Sequence, residues 1–187
     1  MPETQDDNSY DDWEPNNSKS YWKNSKTIYK YKSYKLILKK HGAHKDESWG
    51  IISNDEILGM LNVRYIITLP NGVDIPQVSK SIVDSDFRHK GWGYKMYKGA
   101  LKYYGLLGSD FHLHGNIENK TGSVGMWLKI TSLYPSLVYN DDTEKLYKYS
   151  KRTAFTLDKD GERSIISFRS KKNMEKIFQE CMNLKRR

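Results

Sequence analysis

Lysine alternates with apolar and aromatic residues over residues 27–39, and Tyr34, Leu36 and Leu38 fall on every second position, the period of a half-buried strand. His41 to Glu47 then reads as a polar connection. Residues 49–53 and 57–68 read as two strands joined at Asn54-Asp55-Glu56, which predicts a hairpin, and Gly59 marks a bulge in its second arm. Residues 69–76 form a loop by their prolines and the Asn71-Gly72 pair. The β-branched and small residues of 76–83 predict another strand. Directly after it, Met96, Tyr97, Ala100, Leu101 and Tyr104 recur on one helix face, and Gly105 suits the helix end.

Further on, residues 106–114 predict a strand and 115–120 a loop. Residues 121–133 predict a helix with Val124, Trp127, Leu128 and Ile130 as its apolar set, Thr121 or Ser123 as its cap and Pro135 as its stop. From Leu137 the pattern turns to strands again. Residues 153–157 and 164–169 would form a hairpin about Lys159-Asp160-Gly161 that closes a mixed sheet, and 172–184 is a final amphipathic helix.

Chemistry concentrates where the 76–83 strand meets its helix. Between them stand Arg88, His89 and Lys90, followed by Gly91 and Gly93 one residue apart. A helix start presents main-chain N–H groups without intrahelical partners, at the positive end of the helix dipole. Glycine lets a phosphate approach them because no Cβ intervenes. The competing reading is an ordinary turn whose glycines only relieve backbone strain.

Arg88-x-x-Gly91-x-Gly93, with Val83 five residues ahead and Phe87 beside the arginine, resembles the acyl-CoA-binding motif of the GCN5-related N-acetyltransferases (GNAT). The resemblance extends over residues 49–135, with Ser109-Asp110 opening a second matching strand before the helix of 121–133. It implies an α/β (α+β) fold, a mixed and mostly antiparallel twisted sheet with flanking helices. It also implies acetyl-CoA as cofactor and an amine, on a protein or a small molecule, as acceptor. The cofactor would lie on Val83, Asp84, Arg88, His89, Lys90, Gly91, Trp92 and Gly93. The chain departs from the pattern in three ways. The two helices expected after the first strand have no room, which resembles the small phage-encoded members. Ser79 and Ser81 stand where a glutamate base is common, and Trp127 stands where a tyrosine acid is usual. An indole N–H cannot serve as that acid.

A substitute base is available on the strand of 106–114, where Asp110, His112 and His114 alternate and so share one face. His112 or His114 could deprotonate an amine there; equally, the three could cap the sheet or sit in solvent. No metal site is expected, since no cysteine cooperates with these residues.

Composition changes the picture mainly through charge. The 187 residues carry a net +8, yet residues 1–26 hold six acids against three lysines, so the rest of the chain carries +11. An acidic leader (1–26) before one basic domain (27–187) suggests a polyanion partner, either nucleic acid or an acidic protein, or an internal mask over the basic surface. Many lysines can also mean only a well-solvated face. On this view the alternative function is a catalytically inactive binding or inhibitory module. The leader is polar and mobile unless Trp13, Tyr21 or Trp22 docks on the body. The single cysteine, Cys181, fits a reducing cytoplasm, and neither a secretory leader nor a membrane-spanning run of ~18 apolar residues is evident.

Overall fold

A computed structural model describes residues 18–42, 46–109, 122–150 and 163–184. Its first half is a meander. Strands β1 (Lys26–Lys30), β2 (Lys35–His41), β3 (Asp46–Ser53), β4 (Glu56–Thr68) and β5 (Asp74–Val83) pair antiparallel in order. The β3–β4 connection is the predicted tight turn, with Asn54 at φ 50° and Asp55 at φ 62°, the pair of positive angles that suits the twist of a hairpin. The bulge falls one residue before Gly59, at Leu58, which the register skips.

Helix α1 (Trp92–Tyr104) crosses over to β6 (Leu106–Gly108), which runs parallel to β5. Helix α2 (Gly122–Leu133) leads to the β7 (Ser136–Asn140) and β8 (Lys145–Lys148) pair. Strand β9 (Arg163–Phe168) and helix α3 (Lys171–Leu184) follow. The nine described strands form one sheet in the order β1-β2-β3-β4-β5-β6-β9-β7-β8. The last strand therefore lies between β6 and β7 rather than at the rim. All six of its residues are buried, and its Ile165, Ile166 and Phe168 can be covered on both faces only from an interior position. Residues 153–157 and the turn at 159–161 lie outside the described residues.

Two apolar layers sandwich the sheet. On one face α1 and α2 bury Met96, Tyr97, Leu101, Trp127 and Ile130 against Leu36, Trp49, Leu61, Val63 and Ile165. Gly99 allows the close approach of α1, because a Cβ there would stand 2.3 Å from Leu36 Cδ1. A second cluster joins Ile177 and Cys181 of α3 to Ile75, Leu106, Leu137, Ile166 and Phe168. A third seats Trp22, 8% exposed, on Ile37 and Met60. Trp22 Cη2 lies 2.9 Å from where a Gly50 Cβ would be, so glycine is what admits the ring. Tyr21 Oη and Ser48 Oγ are 2.8 Å apart, and Lys39 Nζ donates to Tyr21 O. Residues 18–25 are thus anchored on the sheet, as the docking alternative required.

The C-terminal end of α1 is closed by a part-buried polar network. Tyr104 Oη donates to Glu47, Trp49 Nε1 donates to Tyr104 Oη at 2.9 Å, and Lys40 Nζ stands 3.2 Å from Glu47. Glu47 is 6% exposed and belongs to β3, not to the polar connection read from the sequence. Gly105, at φ 81°, ends the helix with its N–H on Leu101 O.

Candidate functional site

The opposite end of α1 has the reverse character. Strand β5 stops at Val83, Asp84 caps a single turn of 3₁₀ helix (Ser85–Phe87) by accepting from Asp86 N–H, and the chain turns through His89 (φ 62°) and Gly91 (φ 79°) into α1. No side chain caps the helix at Gly91. The first helical bond is Lys95 N–H to Gly91 O, 3.2 Å. Among the described residues nothing accepts from the N–H groups of His89, Lys90 or Gly91. Those of Trp92, Gly93 and Tyr94, in the first helical turn, have no intrahelical acceptor. Six consecutive amides thus stand at the positive end of the helix. An added Cβ at Gly91 would meet nothing within 4 Å among the described residues, so the space beside Gly91 is open.

The side chains of the turn brace it. Arg88 Nε donates to Val83 O at 3.1 Å, and Lys90 Nζ donates to Asp86 O at 3.0 Å. Asp84 N–H is held by Leu58 O of β4 at 3.0 Å. Val83 O and Asp84 N–H are therefore paired inside the protein. Trp92 packs edge-on to Tyr34, with Lys95 Nζ 3.6 Å from a Trp92 ring centroid, and its Nε1 is a buried donor without a partner. Gly93 faces α2: a Cβ there would lie 3.2 Å from Met126 Cε.

Among the described residues β5 pairs with β6 at Gln77 and Gly108, and residues 110–121, which follow β6, lie outside them. Past that rung Ser79 bulges out of the β4 register, and β5 runs on to Val83. Ser81, exposed, lies on this stretch of β5 and accepts from Tyr97 Oη at 3.1 Å. At the rung itself Gln77 is 2% exposed, donates from Nε2 to Ser109 O at 3.0 Å, and leaves Oε1 without a partner among the described residues.

The structure thus brings Val83, Asp84, Arg88, His89, Lys90, Gly91, Trp92 and Gly93 together at one strand–helix corner. Asp110, His112 and His114 lie outside the described residues, as does Thr121. Trp127 is 1% exposed and packs edge-on to Tyr97, 5.7 Å between ring centroids, so it is a core residue. Tyr134, one helix end away from Trp127, is held above its ordinary pKa by burial and by Tyr94, so it gives up its proton less readily than a free phenol. The Tyr97–Ser81 pair was not legible beforehand. Tyr97 lies on the apolar face of its helix, and a pattern of faces does not reveal where a phenol oxygen ends. Among the described residues no group of His, Cys, Asp and Glu could hold a metal ion, and no helix is long and apolar enough to cross a membrane.

No family model matches the chain, and no curated protein does. Its shape is similar to several solved acetyltransferases at low identity. One is the Bacillus subtilis N-acetyltransferase YlbP in complex with coenzyme A, at 14% identity and a TM-score of 0.39, covering 65% of this chain and 66% of that one. A second is the ribosomal-protein-S18-alanine N-acetyltransferase of Escherichia coli, at 12% identity and a TM-score of 0.37, covering 68% and 69%. A third is a GNAT family acetyltransferase from Elizabethkingia anophelis with acetyl-CoA bound, at 13% identity and a TM-score of 0.38, covering 71% and 95%.

Proposed function

We propose that this protein is an N-acyltransferase that takes its acyl group from acetyl-CoA and passes it to an amine. The observation that carries the reading is the uncapped α1 N-terminus, six amides without acceptors among the described residues, at the end of β5. Donors of this kind suit a diphosphate, and β5, the strand that leads to them, would line an extended arm. The residues present fit the group. The amides of 89–93 would hold the diphosphate, Arg88 and Lys90 would add positive charge, and Val83 and Asp84 would wall the arm.

When bound, the thioester supplies an acyl group activated toward attack by nitrogen. The chain's part is to orient the reactants and to manage protons. Ser81 Oγ accepts from Tyr97 Oη and so would keep its own proton to donate. His112 or His114, sharing a strand face with Asp110, would take the proton of the amine. Titration calorimetry with acetyl-CoA tests the first half of this reading, with micromolar binding expected. Absence of heat at millimolar ligand would remove it.

Trp127 favours a second reading. A buried indole where a proton-donating phenol is usual suits a module that keeps the fold without turnover. Thiol release with a panel of amines and peptides separates the two: release above the hydrolysis background supports the transferase, and binding without release supports the module.

A further inference from the structure

The two longest segments of the sequence without an acid are residues 15–45 and 87–109. The fold lays them side by side, because Ile28, Tyr29 and Tyr34 of the β1–β2 arm pack on the core cluster that α1 fills. The seam between them carries a row of rings. Tyr29 and Tyr31 are 6.4 Å apart between centroids, Tyr31 and Tyr34 stack at 4.4 Å and 17°, and Tyr34 meets Trp92 at 5.7 Å. Lysines flank the row. Lys102 Nζ lies 4.4 Å from the Tyr29 centroid, and Lys95 Nζ lies 4.8 Å from that of Tyr34. Lys98 falls between these two on α1, at i+3 from Lys95, so the three lysines form one stripe about 10 Å long.

Three lysines elsewhere meet carboxylates: Lys40 meets Glu47, Lys171 meets Glu175 and Lys176 meets Glu180. Along the seam Lys26, Lys30, Lys32 and Lys98 are exposed and have no carboxylate partner among the described residues. Asp55 and Glu56 stand on the neighbouring β3–β4 turn, which reaches this arm through Ser53 Oγ on Ser33 O at 2.7 Å; they bound the basic strip rather than interrupt it. Tyr31 is 41% exposed with its inner face backed by Tyr34, so its outer face is open to another flat ring.

We infer that this seam binds single-stranded nucleic acid, with phosphates on the lysine stripe and a base stacked on Tyr31. Charge alone would suit any polyanion. The exposed, backed ring is what selects nucleic acid over an acidic polypeptide, because stacking is the recognition that bases supply and carboxylates do not. The inference is independent of the acyltransferase reading, since Tyr31, Lys98 and Lys102 lie outside the diphosphate turn.

Fluorescence anisotropy of the full chain with a labelled single-stranded 12-mer tests it, with polyglutamate as competitor. The expected result is binding that weakens as salt rises. Lys98→Gln with Lys102→Gln should flatten the plot of log K against log salt by about 1.4, from ~0.7 per phosphate neutralised on a single strand. Tyr31→Ala should weaken binding about 5- to 100-fold, the range of one lost base stack. Acetyl-CoA affinity should not move in either variant. No binding at low salt, affinity unchanged by both variants, or equal displacement by polyglutamate with Tyr31→Ala silent would each overturn the inference.

Discussion

The two ends of the 13-residue helix α1 belong to one rigid element and follow opposite rules. At the C-terminal end a phenol, an indole, a carboxylate and an ammonium close on one another, and glycine seals the last turn. At the N-terminal end the turn side chains brace the backbone, and six amides are left without acceptors. A protein gains stability from the first arrangement and none from the second. Leaving donors unsatisfied is tolerated where solvent or a ligand satisfies them. The contrast separates an end closed by its own side chains from an end with free donors, without reference to any relative.

Substitutions should break the contrast in one direction only. Trp49→Ala removes a fully buried ring from the closed end and should cost about 3–5 kcal/mol of stability. Acetyl-CoA affinity per folded molecule should be unchanged; denaturant unfolding and calorimetry on the same sample read both. Tyr104→Phe keeps the ring but strands Trp49 Nε1 and a Glu47 oxygen, at about 1–3 kcal/mol, again with binding intact. At the open end Gly91→Val should do the reverse. The left-handed angle strains a side chain by roughly 1–2 kcal/mol, whereas coenzyme binding should fall by more than tenfold. If Gly91→Val bound normally, the open end would not be the site.

Alkaline titration sharpens the same comparison with a smaller effect. Burial, with Glu47 and Tyr103 nearby, pushes the Tyr65 phenol from 10.0 up to about 12, and burial and Glu47 hold Tyr104 well above its ordinary value. Both phenols keep their protons longer in the folded chain than in the unfolded one. Their contribution is therefore complete below pH 10 and is lost as pH rises, for Tyr65 between 10.0 and about 12. Tyr65→Phe should flatten the stability–pH curve in that window, followed by unfolding at fixed denaturant. A slope equal to the wild type would place the sensitivity elsewhere. Smallest of all, Lys90→Gln should weaken coenzyme binding only a few-fold, because Lys90 adds charge from the rim while the amides do the holding.

The open end was legible in the sequence because everything that makes it is local. A strand pattern, a basic turn, two glycines and a helix pattern occupy 30 consecutive residues, 76–105, and each element formed where its periodicity placed it. The closed end was not. Tyr104 and Glu47 are 57 residues apart, and Glu47 looked like part of a polar link because its partner lies on another element. The same holds for β9, whose pattern marks a strand but not its neighbours, and for Trp22, whose seat exists only once Gly50 and Ile37 are adjacent. In the lysine–tyrosine alternation of 27–39 the period marks a half-buried strand but not which ring turns inward: Tyr29 and Tyr34 pack on the core while Tyr31 is exposed.

Amide chemical shifts under titration with coenzyme A test the central claim most directly. The account predicts large shifts for the N–H groups of residues 89–94 and little change at Glu47, Trp49 and Tyr104. Silence of residues 89–94 at millimolar coenzyme, or shifts gathered at the opposite end of α1, would contradict it.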